Sequence, residues 1–203
     1  QATGARLLVD SISTKASLDT LASAKSAGVN VSASVSAYSL FFTEHDVGDY
    51  LTYCKVNPPF RSENDRKTLI EALKSDLIGA VTSSHDPQPP ENKRLPFAEA
   101  SFGAAGLETL LSALLSLMKT GEITLLEALR PITSGPSTLL GLEQGYLKTG
   151  APADLILFDP DQSWLCQRED LRSRSTNSPF DGRDLVGRVK KTFVAGQSVF
   201  SED

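Results

Sequence analysis

Val81-Thr82-Ser83-Ser84-His85-Asp86-Pro87-Gln88 is a short β-branched run that stops at a polar, proline-bearing loop. A strand ending in a cluster of reactive side chains signals a site, because α/β barrels project catalytic groups from the C-terminal ends of strands, where loops vary over a rigid sheet. On that reading Ala80 to Ser83 is the strand, and Ser84, His85, Asp86 and Gln88 form its mouth. The competing account is a plain turn opened by Asp86-Pro87, with His85 solvated beside it.

Upstream of this stretch the same alternation recurs. Leu7, Leu8 and Val9 form an apolar run that ends at Asp10-Ser11-Ile12-Ser13-Thr14, residues that favour helix N-caps. Leu18, Leu21, Ala22 and Lys25 then carry a helical period, stopped by Gly28. Val29, Val31, Ala33 and Val35 alternate as a strand, with a second mouth near Tyr38 and a helix start at Thr43 to Asp46 around a surface His45. Pro58 and Pro59 forbid helix and hold Asn57 extended, which suits its amide to recognition of an amide or imide edge; a plain proline loop is the alternative. Ser62 to Asp65 resembles a capping box ahead of a helix through Leu69, Ile70 and Leu73.

Downstream, Pro87 to Pro96 reads as a polar loop, either a mobile lid or an exposed linker. Gly103, after Phe102, would let a ligand approach the backbone. Leu107, Leu110, Leu111, Leu114, Leu115 and Met118 make the clearest amphipathic stripe, a core-facing helix ended by Gly121. Thr124 to Glu127 opens another helix, broken at Pro131, and Ser137 to Leu142 is a further helical turn. From Gly150 the character changes. Ala153 to Pro160 reads as a strand, Arg172 to Gly182 as an irregular polar loop, and Val189 to Phe200 as a hairpin. The residues therefore read as α/β, with βα units of the kind that alternate in barrels over 1–149 and a small β module at 150–203.

With 203 residues, 40% of them hydrophobic, the chain can bury a substantial core. A net charge of −5 argues against a nucleic-acid or anionic-membrane partner. No apolar run approaches the length of a membrane span, and the N-terminus lacks signal-peptide character, so the chain reads as cytoplasmic. Cys54 and Cys166 are distant in sequence and read as two reduced, buried thiols. With only His45 and His85 as histidines, metal binding by this chain alone is poorly supported. The start at Gln1-Ala2-Thr3-Gly4, without Met, predicts a C-terminal piece of something longer, whose isolated half-barrel would expose sheet edges and an apolar face.

Four stretches together resemble the C-terminal half of a dihydroorotase of the long, two-domain bacterial type, in the amidohydrolase superfamily. They are Lys55-Val56-Asn57-Pro58-Pro59-Phe60-Arg61, Phe102 to Thr109, Gly150 to Leu155 with Asp159-Pro160, and Asn177-Ser178-Pro179-Phe180 with Gly187-Arg188-Val189. The resemblance runs from about Gly4 to Phe200. It implies the C-terminal part of a metal-dependent TIM-like (β/α)8 barrel over residues 1–149, followed at 150–203 by strands of a small β-sandwich domain, and an activity that interconverts carbamoyl aspartate and dihydroorotate in pyrimidine synthesis, with a zinc-bound hydroxide as nucleophile and an aspartate as proton shuttle. The departures are specific. The family's DHAPH motif falls on Ser84-His85-Asp86-Pro87-Gln88, so the ligand and base aspartate is Ser84 and the substrate-binding histidine is Gln88. Its HVST motif falls on Ser11 to Thr14, so a zinc histidine is Ser11, and the expected histidine pair is Tyr38-Ser39.

Asn57 and the Phe102-Gly103 backbone, which contact the dihydroorotate ring in the family, are retained. Serine is a poor metal ligand and cannot shuttle a proton as a carboxylate does, leaving Asp86, two residues along, as the carboxylate placed to swing in. The resemblance therefore implies a noncatalytic homologue that binds no metal at the degenerate position Ser11, needs no cofactor although active members use zinc, and serves in an oligomer as structural partner of aspartate carbamoyltransferase. An active cyclic amidohydrolase with an altered metal site is the second reading, and a regulatory pocket for dihydroorotate or a related pyrimidine the third.

Overall fold

The computed structural model describes residues 2–202. Its first layer is a parallel sheet of β1 (Leu7–Val9), β2 (Val31–Ser36) and β3 (Ala80–Thr82), in that order. The register pairs Val9 with Ala33 and Ser36 with Thr82, which sets the three C-terminal ends side by side. α1 (Lys15–Ser26) joins β1 to β2, capped where the Thr14 hydroxyl accepts from the Ser17 amide. α2 (Ala37–Phe41) begins directly on the end of β2, and a 3-10 turn at Glu44–Val47 follows, closed by the reciprocal capping box of Thr43 and Asp46. α3 (Glu63–Lys74) leads back to β3, with Ser62 as its cap.

β2 is central and nearly fully buried, Ala33 and Val35 being wholly inaccessible, whereas Leu7, Leu8 and Val9 of the edge strand β1 are exposed. A parallel strand buries both faces only when it has neighbours on both sides and layers above and below. Among the described residues β1 has no outer neighbour.

α4 (Pro90–Lys93) is one turn inside the loop after β3. α5 (Leu110–Lys119) follows, with Leu114 and Leu115 inaccessible to solvent. It starts three residues later than the apolar stripe predicts: Leu107 lies outside it and is exposed, because the chain is still in the site loop there. α6 (Leu125–Leu129) carries the full Thr124/Glu127 capping box, and α7 (Ser134–Leu140) ends on left-handed Gly141.

The second layer is an antiparallel sheet of β4 (Leu155–Cys166), β5 (Arg183–Val194) and β6 (Gln197–Ser201). β4 continues past Pro160, where the sequence suggests a stop. The register jumps from Asp159–Arg188 to Ser163–Val186, so the proline lies in a bulge that needs no ladder donor from it. The β5–β6 turn is Ala195-Gly196, both at positive φ, the geometry that matches strand twist in a two-residue hairpin. α5 crosses β5 at Gly187, where an added Cβ would lie 2.2 Å from a Leu115 methyl, and the Ser112 hydroxyl donates to the Gly187 carbonyl. Cys166, Phe180 and Leu185 share one apolar core with Tyr38, Phe42 and Leu114. Burial pushes both thiols up to about 11, as inert core cysteines require. No helix among the described residues is long and apolar enough to cross a membrane.

Arg66 on α3 locks three elements. Its guanidinium donates to both oxygens of Glu63, to Glu122 after α5 and to the Leu40 carbonyl of α2. Only about a tenth of the side chain is exposed, so solvent screens it weakly. Arg66→Met is expected to destabilise by about 2 kcal/mol, read as a lowered urea midpoint, since charged hydrogen bonds are lost and Glu122 keeps its desolvation. The Arg66 bond also holds the Glu63 carboxyl below its ordinary range. Its contribution is present above the unfolded-state carboxylate pKa and is lost as pH falls through the lower folded value; R66M flattens that part of the acid limb.

Candidate functional site

The three parallel strands end on Asp10-Ser11, Ser36-Ala37-Tyr38 and Ser83-Ser84. Ser11 and Ser84 both adopt left-handed backbone, at φ 55° and 45°. Non-glycine residues in that region are uncommon, and here two of them follow β1 and β3, on either side of β2. The Ser84 hydroxyl is within hydrogen-bond distance of Thr82 Oγ1 at 3.2 Å. Ser11 donates its amide to Ser34 Oγ, whose hydroxyl in turn donates to the Asp10 carboxylate, so Asp10 is turned onto β2.

Tyr38 is only 1% exposed and its hydroxyl finds no hydrogen-bond partner among the described residues. Burial first, and then the Asp86 carboxylate, push the phenol well above its ordinary range, so it stays neutral. The ring packs on Phe60 and Phe180, which drives the side chain inward from the end of β2.

The loop after β3 lies along residues 102–106. His85 bridges to Ala104, and the Asp86 amide donates to the Ala104 carbonyl at 2.8 Å. His85 Nδ1 accepts from the amides of Gly106 and Leu107, each at 3.2 Å, which makes it an acceptor and leaves the ring hydrogen on Nε2. Gln88 donates its side-chain amide to Asp86 Oδ1 at 2.8 Å. Asp86 and Gln88 are thus joined by a hydrogen bond, while the Ser84 hydroxyl lies by Thr82 and His85 is fastened to the backbone.

The positions for which the resemblance implies ring contacts have different surroundings. Asn57 is exposed. Phe102 is exposed by about half, with the Lys55 ammonium 4.8 Å from its ring centroid, a cation–π contact that steadies the ring. Gly103, at φ 113°, gives its amide to the Lys55 carbonyl and takes the Asn177 side-chain amide on its own carbonyl. A Cβ there would lie 2.4 Å from Asp86 Oδ2, so the close approach this glycine allows is that of Asp86.

Two hubs are not among the site residues that the sequence suggests. Asn177, within a loop that reads as polar and irregular, is buried and ties Gly103, Ala105 and Gln88 together. Lys93, in a loop that reads as exposed, is 3% exposed and donates to three carbonyls. Its proline-rich, charged neighbourhood hides both facts. A groove of about 1310 Å³, mainly apolar, lies elsewhere, between Ile78-Gly79 before β3, α6 and α7 and the strands β4 and β5.

The residues at the three mouths do not fit the zinc ion that the resemblance implies. They offer serine hydroxyls and a neutral phenol, the Asp10 carboxylate is turned onto Ser34, His85 Nδ1 is engaged by two amides, and no group of three His, Cys, Asp or Glu side chains converges among the described residues.

Side chains gathered at the C-terminal ends of parallel strands, beside an antiparallel sheet, make an α/β layout, and the comparisons give its family. The amidohydrolase family model matches residues 11–199, and the chain belongs to that family. Its curated relatives are dihydroorotases. That of Clostridium acetobutylicum is 38% identical over 200 residues, 98% of this chain and 47% of the relative; that of the Wolbachia of Drosophila simulans is 37% identical over 191 residues, 94% of this chain and 43% of the relative. The chain thus spans about half the length of these relatives. Among solved structures it is similar to the L-hydantoinase (dihydropyrimidinase) of Arthrobacter aurescens, with a TM-score of 0.92 and 30% identity, covering 98% of this chain and 46% of that one. A D-hydantoinase structure, 22% identical with a TM-score of 0.89, shares the fold.

Proposed function

We propose that this chain is part of a metal-free, noncatalytic dihydroorotase-like protein of de novo pyrimidine synthesis, whose parallel sheet belongs to a (β/α)8 barrel completed by further strands beside β1. The observation that carries the reading is the donor set: Ser11, Tyr38 and Ser84 stand where three neighbouring strands end, and none is a ligand or base suited to neutral pH. The exposed edge of β1 supports a further barrel strand there.

A cyclic-amide recognition face is retained. Asn57 offers an amide edge, and Phe102 offers a half-exposed ring backed by Lys55. In this reading the protein binds dihydroorotate or a related pyrimidine without opening it, in the cytoplasm, and acts as a structural partner that holds aspartate carbamoyltransferase in its active oligomer.

The test is calorimetry of the full-length protein with dihydroorotate, together with metal analysis of the same sample and co-elution with the transcarbamoylase. Expected are saturable heat, less than a tenth of an equivalent of zinc, and a joint complex. Stoichiometric zinc overturns the metal-free reading, absence of heat removes the binding face, and separate elution removes the partner.

A further inference from the structure

The Lys93 side chain belongs to no step considered so far, yet it is one of the most buried charged groups in the chain. Its ammonium donates to the carbonyls of Thr52 at 3.1 Å, Lys55 at 3.3 Å and Ser101 at 2.7 Å, which uses all three of its hydrogens. The Thr52 hydroxyl returns a bond to the Lys93 carbonyl at 2.6 Å, and the Ser101 amide donates to the Asn92 carbonyl. Among the described residues no carboxylate pairs with it. An ammonium taken out of water is tolerated only where oriented dipoles replace the hydration it gives up, and here three carbonyls do so.

These carbonyls come from two separate segments. Thr52 and Lys55 lie just before Asn57, and Ser101 lies just before Phe102-Gly103. The Lys55 carbonyl accepts from Lys93 and from the Gly103 amide, so one oxygen carries both the brace and the contact between the segments. Lys55 itself reaches the opposite way, donating to the Phe97 and Ala98 carbonyls and lying under the Phe102 ring. Without the ammonium, the Thr52 and Ser101 carbonyls lose this donor and the Lys55 carbonyl keeps only the Gly103 amide. Their mutual repulsion would spread the two segments apart.

We propose that Lys93 is a positioning residue that sets the spacing between the Asn57 segment and the Phe102-Gly103 segment, so that affinity for a cyclic-amide ligand depends on a side chain that never touches it. The ligand part rests on the recognition face proposed above; the brace itself does not. Titration supports the assignment. Burial brings the Lys93 ammonium down to about 8, the Asp86 carboxylate pulling it up, Lys55 pushing it down and the Cys54 thiol pulling it up. A neutral amine has two hydrogens for three carbonyls, so the brace weakens as pH rises through that value.

The experiment compares the full-length protein with Lys93→Met, which keeps the unbranched stem and removes the donors, and with Lys93→Arg. Two readouts are taken: dihydroorotate affinity from pH 6.5 to 9.5, and amide hydrogen exchange. For Lys93→Met, the Gly103 amide is expected to exchange at least tenfold faster while the β2 amides keep their protection, and affinity is expected to fall at least tenfold at pH 7. Wild-type affinity is expected to weaken above pH 8, the Lys93→Met affinity to stay flat, and Lys93→Arg to recover part of the loss. Unchanged Gly103 exchange in Lys93→Met overturns the brace. Unchanged affinity with faster exchange overturns its link to binding. Failure of the wild type to bind dihydroorotate defeats the recognition face instead, with the exchange result still deciding on Lys93. A uniform loss of protection, β2 included, overturns a positioning role in favour of a general stabilising one.

Discussion

Dihydroorotate incubated with the full-length protein and added zinc is expected to open no faster than background. General acid–base catalysis alone contributes about 10²- to 10⁴-fold, and Ser84 cannot supply it. Asp86 does not take its place, because its carboxylate is held by Gln88 at 2.8 Å and packed against Gly103. A reacting group displaced by about 1 Å can cost a further 10²-fold. The converse experiment restores Ser11→His, Tyr38→His and Ser84→Asp together. The backbone is prepared for two of these changes, since positions 11 and 84 sit at φ 55° and 45°, where Asp and His are enriched among non-glycine residues. Removing the Tyr38 phenol also clears the space against Gly106. The triple variant is expected to take up zinc while the wild type does not, measured by elemental analysis of dialysed samples. Turnover by the wild type with stoichiometric zinc would sink the noncatalytic reading and make Asp86 the first residue to replace.

Gly106→Ala should be among the most damaging single substitutions in the chain. Its new Cβ would lie 2.2 Å from the Tyr38 hydroxyl and 2.5 Å from the Ser83 carbonyl. The tyrosine is packed among Phe60 and Phe180, and the carbonyl is backbone at the end of β3, so neither can yield cheaply. Overpacking of this kind costs about 1–3 kcal/mol, and loss of the His85 bond to the Gly106 amide adds roughly 1 kcal/mol. Chemical denaturation is expected to show a lowered midpoint with unchanged slope. Tyr38→Phe in the same background should restore part of the loss by removing the nearer atom and an unpartnered buried hydroxyl; Ser83 limits the recovery. Stability equal to wild type in Gly106→Ala would show that the loop after β3 can move away from residues 102–106.

Much of the fold was legible because the elements carry strong local rules. The periodicity of Leu18 and Leu21 and the Thr124/Glu127 box place their helices, and Ala195-Gly196 places its hairpin, since each depends on residues within a turn or two. Where elements are shaped by distant partners, the local rules fail. Pro160 suggests the end of β4, but pairing to β5 carries the strand through a bulge to Cys166. Leu107 continues the apolar stripe, but the His85 contact keeps it in the loop and delays α5.

The sequence by itself determined which side chains stand at the strand ends. Serine and tyrosine are weaker ligands and bases than histidine and aspartate in any fold, because ligand strength and basicity belong to the side chain. Only the tertiary structure decided what fills the space. It put the Tyr38 phenol into a dry core, turned Asp86 onto Gly103, and drew the Lys93 ammonium out of a loop that looks exposed to join two segments. The reason is physical: burial and hydrogen-bond partnership depend on atoms tens of residues apart in the chain, and no local pattern encodes where they meet.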